Sequence, residues 1–227
     1  FDYYQIAVRQ FVQRILPPPL PATKVWSYGS AAHPGSFHYP AFTIEAAWGR
    51  EVRVKWINDL KDPSTGRFLP HLLPVDQTLH WANPRGPRDS RGTSQDPYGG
   101  PVPIVTHVHG SHTYQESDGY PEAWYLPAAS NIPKYIEYTT GTFYDSFKTT
   151  SPLGGAWRPG SAVFQYPNLQ RATTLWYHDH TLGMTRLNVY AGPAGFYLLR
   201  GGPDDLAAPT LPGASYEIPI AIQDRSF

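Results

Sequence analysis

The sequence predicts an all-β fold, a Greek-key sandwich or barrel whose short strands are joined by long ordered loops. Three observations carry that expectation. Short runs alternate or cluster β-branched and aromatic residues, proline (25) and glycine (20) punctuate them, and aromatics make up 15% of the 227 residues. A chain of this length can bury a sizeable core.

The elements follow in order. Tyr4 to Leu16 alternates through Tyr4, Ile6 and Val8 and ends at Pro17-Pro18-Pro19. Ala41–Ala46 is a short strand, with Trp48–Glu51 as the turn out of it. Glu51–Asn58 places Val52, Val54 and Trp56 on one face and Arg53 and Lys55 on the other, the pattern of a half-buried strand. Residues 59–103 read as loop, rich in Pro, Gly, Asp and Ser, with 85–92 exposed. A strand over Ile104–His109 follows. Residues 110–160 are again mostly loop, with a short helix or irregular strands within Tyr135–Lys148; a loop this long is often functional. Ser161–Tyr166, Ala172–His178 and Ala194–Arg200 read as strands, and Thr181–Tyr190 as one or two helical turns stopped by Gly192-Pro193. Gly201–Asp205 marks a boundary, Ala207–Gly213 a linker, and Tyr216–Ile222 a further strand. The expected division is therefore a domain over 1–203, then a linker and the opening strand of an incomplete second domain over 204–227.

Composition excludes several classes. Eighteen basic and 18 acidic residues cancel, so nucleic acid and anionic membrane surfaces are poor partners. No apolar run approaches the length of a membrane span. Phe1–Tyr4 carries neither an initiator Met nor a signal-peptide pattern, the expectation being a processed or trimmed start. Cysteine is absent, which removes disulfides, zinc–thiolate sites, thiol nucleophiles and the thiolate-bearing blue-copper site.

Chemistry concentrates in two motifs, His107-Val108-His109 and His178-Asp179-His180, each ending an apolar β-rich run. Alternate side chains of a strand share a face, so each motif aims two imidazoles the same way, about 6.6 Å apart along the strand. That spacing suits two neighbouring metals, or one metal reached by a twisted strand end. Two adjacent strands would converge four neutral nitrogens, a donor set for copper, zinc, iron or nickel, with copper binding most tightly. Burying four imidazoles on one sheet edge costs desolvation unless something pairs with them. His33, His38, His71 and His80 read as hydrogen-bonded structural residues. His107-x-His109-x-Ser111-His112 approximates the pattern of zinc-dependent hydrolases, but Ser111 stands where an Asp belongs and the chain lacks alternating helices and strands.

The segments Thr106–Gly110, Ser117–Trp124, Thr174–His180 and Thr185–Gly192, in that order, resemble the first cupredoxin domain of multicopper oxidases, nearest to bacterial spore-coat laccases and bilirubin oxidases. With the N-terminal strands and Ile218–Arg225 the resemblance spans nearly the whole chain, although the insertion at about 126–160 is longer than expected of the spore-coat type. The resemblance implies a laccase-like oxidoreductase in which phenolic, pigment or metal-ion donors are oxidised and dioxygen is reduced to water. It implies that His107 binds the type 2 copper, His109 and His178 one copper of the type 3 pair, and His180 the other. Asp118 corresponds to an acidic residue that helps deliver protons, against the simpler reading of Asp118-Gly119 as a turn pair. Glu116 is solvated, Asp179 serves the ligands from the opposite face, Trp176 packs around the site, and Arg186 and Asn188 are structural. Gly110 lets the backbone turn away without a Cβ clash.

The resemblance also implies what lies elsewhere. The remaining cluster histidines and the type 1 copper belong to a last domain, so a second polypeptide or cleaved C-terminal fragment is the expected partner, covering the histidine face. A secreted or cell-envelope location is an expectation from the resemblance alone. The competing reading is a non-catalytic copper-binding cupredoxin module.

Overall fold

The computed structural model describes residues 1–205 and 214–226. Eight strands form two four-stranded sheets, and the two helices are single short segments. The first sheet has the order β2 (Thr23–Ser30), β1 (Asp2–Gln13), β4 (Val52–Asn58), β6 (Ser161–Tyr166). Within it β1 and β4 run parallel, while the other two pairings are antiparallel. The second sheet has the order β3 (Ala41–Ala47), β8 (Ala194–Arg200), β7 (Thr173–Asp179), β5 (Thr106–His109). Here β3 and β8 are parallel and the rest antiparallel.

The alternation in β4 does what its sequence predicts: Val52, Val54 and Trp56 are fully buried while Arg53 and Lys55 are half-buried. Large aromatics from both sheets fill the space between them. Trp56 of β4 lies 5.6 Å from Tyr177 of β7, and Tyr28 of β2 meets both at 5.5 and 5.0 Å, edge-on. Their polar atoms are satisfied: Trp56 Nε1 donates to Tyr166 Oη at 3.0 Å, and Tyr177 Oη to the Phe42 carbonyl at 2.7 Å.

The structure corrects the sequence reading in four places. β2 was not anticipated, because Val25 to Gly29 are all buried and give no alternation. The first strand stops at Gln13, before Leu16. Residues 85–92 are mostly half-buried, not exposed. Arg88 stacks 4.5 Å from the Tyr138 ring centre, and Asp89 accepts from Trp124 Nε1 at 2.5 Å and from the Thr142 amide at 2.9 Å. These contacts pin the two long loops together. Finally, Tyr216–Ile222 forms no strand: a single 3₁₀ turn covers Ala214–Tyr216 and no regular structure follows to residue 226. A strand needs a neighbour to complete its backbone hydrogen bonds, and among the described residues none pairs with this segment. The expected linker, Ala207–Gly213, lies outside the described residues.

The helix expected within 135–148 is α1 (Tyr144–Thr150), and that expected within 181–190 is α2 (Thr185–Ala191), closed by Gly192 at φ 141°. Helix α2 packs behind β7 and the Asp118 loop lies beside β5, next to the two histidine motifs.

Candidate metal centre

The register of β5 against β7 decides the geometry. His107 pairs with His178 and His109 with Trp176, so these four side chains share one face of the sheet, while Val108 and Tyr177 point into the core and are buried. The rings form a zigzag. Centroid distances are 5.6 Å for His109–His178, 5.6 Å for His107–His178 and 4.8 Å for His107–His180. Within each motif they are 5.5 Å (His107–His109) and 5.7 Å (His178–His180), somewhat less than an untwisted strand gives. Trp176 extends the row, stacked 3.9 Å from His178 and 5.5 Å from His109.

Hydrogen bonds fix which nitrogens face the centre. His107 Nδ1 donates to the Asp118 carbonyl at 2.5 Å, and His178 Nδ1 to the Asp179 carbonyl at 2.7 Å. Since a carbonyl only accepts, both rings are held with Nε2 unprotonated and free as a donor atom. His178 Nε2 stands 3.4 Å from His109 Nδ1. Two ligands of one ion with bonds of about 2.0 Å at a near-tetrahedral angle are about 3.3 Å apart. His180 Nδ1 is buried with no hydrogen-bond partner, an orphaned atom that a metal or its ligands would satisfy.

The donor set therefore fits copper: soft enough imidazoles, no thiolate, and nitrogens already spaced as a pair. Among the described residues no three His, Asp or Glu side chains are placed to hold one ion. Among the described residues the arrangement is therefore one of ligand pairs.

Electrostatics keeps two of these rings, His178 and His180, ready to bind. Burial pushes His178 down to about 4, and its neighbouring imidazoles add to the effect. Burial, then the His107 charge, also lowers His180. Both are neutral at pH 7, the ligating form. Burial pulls on His107 as well, but the hydrogen bonds and charge of Asp118 outweigh it and the net shift is upward.

Asp118 thus does more than turn the chain. Its carboxylate Oδ1 lies 3.4 Å from His107 Nδ1 in addition to the carbonyl contact. The approach depends on Gly119, whose φ is +78° and where a Cβ would collide with the Thr106 carbonyl and stand 2.9 Å from His107 Cα. Ser117, overlooked in the sequence, is fully buried and accepts from the Gln165 amide at 3.1 Å, clamping this loop to β6. A buried serine beside an Asp-Gly pair leaves no sequence signal of that kind. His112 is exposed and stands outside the four-ring contacts, so the zinc-hydrolase pattern does not assemble.

Comparison with known proteins completes the description. The chain is 38% identical over 228 residues to a laccase of Bacillus stratosphericus, covering 99% of this chain and 34% of that protein. It is 34% identical over 225 residues to a laccase of Bacillus subtilis strain 168, again over 99% of this chain and 34% of that one. A multicopper oxidase of Arabidopsis thaliana is 34% identical over 210 residues, 92% of this chain and 28% of that protein. Among solved structures, a multi-copper oxidase from Pediococcus acidilactici superposes with a TM-score of 0.50 at 16% identity, covering 88% of this chain and 26% of that one. This likeness shows the fold, that of a cupredoxin-like domain. No family model matches the chain. The chain spans about a third of the length of the curated laccases it matches.

Proposed function

Because this chain belongs to the multicopper oxidase family, we propose that it contributes half of a trinuclear copper centre, the remaining ligands and the type 1 copper coming from polypeptide beyond these 227 residues. The observation that supports this most directly is the pairing of imidazole nitrogens. His109 Nδ1 and His178 Nε2 stand 3.4 Å apart, and the His107 and His180 rings follow in the row, 4.8 Å from each other. In this reading His107 holds the type 2 copper, His109 and His178 share one type 3 copper, and His180 holds the other. Copper ions so bound would supply the one-electron chemistry by which a laccase-like oxidase reduces dioxygen to water while phenols, pigments or metal ions are oxidised at the type 1 site.

The protein's own share is positional and acid–base. Backbone carbonyls hold His107 and His178 in the tautomer that presents Nε2. Trp176 stacks on the His178 and His109 rings and covers part of each. Asp118 keeps a carboxylate beside His107 Nδ1, where it can hold and pass a proton toward the centre. Along the outer face of the second sheet, Trp176, Phe196 and Leu198 continue the histidine row, an apolar strip suited to a covering domain.

Copper analysis and oxygen uptake of the full-length protein with a phenolic donor test the proposal. His107→Ala should lose the type 2 copper preferentially, and His178→Ala should disturb the coupled pair. Full copper content and activity in both variants would refute the assignment. Copper binding without oxygen uptake by the completed protein would favour the non-catalytic module.

A further inference from the structure

The ladder between β5 and β7 ends at the Thr106–Asp179 pair, so His180 lies one residue beyond it. The His180 amide still reaches the Val105 carbonyl at 2.8 Å, and then strand pairing stops. One buried carboxylate takes over. Asp179 Oδ1 accepts from the Val105 amide (3.1 Å) and the Thr181 hydroxyl (2.8 Å), and Oδ2 from the Thr181 amide (3.1 Å) and Asn188 Nδ2 (2.9 Å). The carboxylate thereby joins the start of β5, the chain just past His180 and helix α2. It is 1% exposed and faces the side of β7 opposite the imidazoles.

The network continues with a defined direction. Asn188 Nδ2 also donates to the Pro103 carbonyl at 3.2 Å, which fixes the amide orientation and leaves Oδ1 to accept from His71 Nε2 at 2.8 Å. His71 Nδ1 in turn accepts from the Leu73 amide at 2.9 Å, and its ring packs edge-on against Trp26 at 4.6 Å. Leu73, His71, Asn188 and Asp179 thus form one chain of bonds from the 59–103 loop to the residue between two proposed ligands.

We propose that Asp179, backed by Asn188 and His71, is a positioning network that sets the ring direction of His180, just past the end of the sheet, and braces that of His178 from behind. It acts through the ligands without touching the ions. The identity of the ion rests on the oxidase reading; the ring positions do not.

Two readouts on the full-length protein test this. In the metal-free protein, ring ¹⁵N spectra should show His71 as the Nε2–H tautomer and His178 as Nδ1–H. Asp179→Ala and Asn188→Leu should perturb the His178 and His180 ring signals and leave exposed His38 unchanged. With cobalt(II) as probe, Asp179→Ala should weaken binding by about 10–100-fold, with Asn188→Leu and His71→Gln showing smaller losses in that order. Tyr197→Phe, which removes a buried hydrogen bond to Asn168 elsewhere in the fold, should lower stability and leave both readouts unchanged. If Asp179→Ala does not fold, Asn188→Leu decides. A folded Asn188→Leu variant with native ring signals and native cobalt affinity overturns the proposal. If the wild-type protein binds neither cobalt nor copper, the oxidase reading fails and the ring signals alone settle the positioning role.

Discussion

The two histidine motifs have the same spacing and face the same side, yet they are held differently. His107 and His109 sit on β5, a four-residue edge strand, and His107 is secured from outside the sheet by the Asp118 loop. His178 lies on β7, an interior strand, with His180 just past its end. That motif is secured from behind by Asp179 and α2 and from above by Trp176. The titration directions differ accordingly: His107 is raised by its acidic neighbour, whereas His178 and His180 are lowered by burial. An identical local pattern therefore guarantees direction along a strand and nothing about the charge state of the ring.

The sharpest way to break the β5 side is Gly119→Ala. A methyl group at φ +78° meets the Thr106 carbonyl, so the loop carrying Asp118 must retreat from His107. The expected loss is about 4 kcal/mol from the backbone conformation and overpacking together, read from urea denaturation. The His107 ring signal should move while that of His178 stays.

Acid titration separates the two sides next. In the metal-free protein His178 and His71 stand at about 4 against 6.5 unfolded. Between those values the unfolded chain binds protons that the folded one does not, so stability falls as pH drops from 6.5 toward 4. Each group contributes about 3 kcal/mol to that fall. Asp179, raised by burial to about 6 from 3.8, has the opposite sign and offsets part of it below pH 6. His107, raised, adds stability that is lost as pH climbs above 6.5. His178→Gln should flatten the acid limb of the urea midpoint, and His107→Gln the limb above pH 6.5. Interchanged effects would overturn the contrast between the motifs.

The smallest effect expected is from Trp176→Leu. The indole is 39% exposed but stacks on two imidazoles, an arrangement worth about 1 kcal/mol. Thermal denaturation should show that modest loss, and the His178 ring signal should broaden.

How much of this was legible in the sequence depends on how local the cause is. β4, β6, β7 and β8 were legible because period-two burial, continuous apolar runs and glycine stops are written in adjacent residues. The shared face of the histidine motifs was legible for the same reason. β2 was not, since burial of Val25 to Gly29 leaves no alternation to read and Ser27 and Gly29 interrupt the apolar run. The strand expected over Tyr216–Ile222 has the right pattern, but a pattern cannot supply the neighbour it needs. Residues 85–92 carry the composition of a solvated loop, and only Asp89 meeting Trp124 and Thr142 brings them down onto the fold. The Asp179 network was visible as an inward-facing acid and no further: its partners Val105 and Asn188 lie 74 and nine residues away, and His71 lies 117 from Asn188.

The unpaired segment has a consequence of its own. Ile218, Ile220 and Ile222 are 73 to 96% exposed, on alternate positions that a sheet would turn to one side. Sheltering each from water is worth about 2 kcal/mol, so this short ribbon carries a cohesive force comparable to the whole margin by which many small domains stay folded. A surface that takes up this ribbon would gain most of that burial at the three isoleucines.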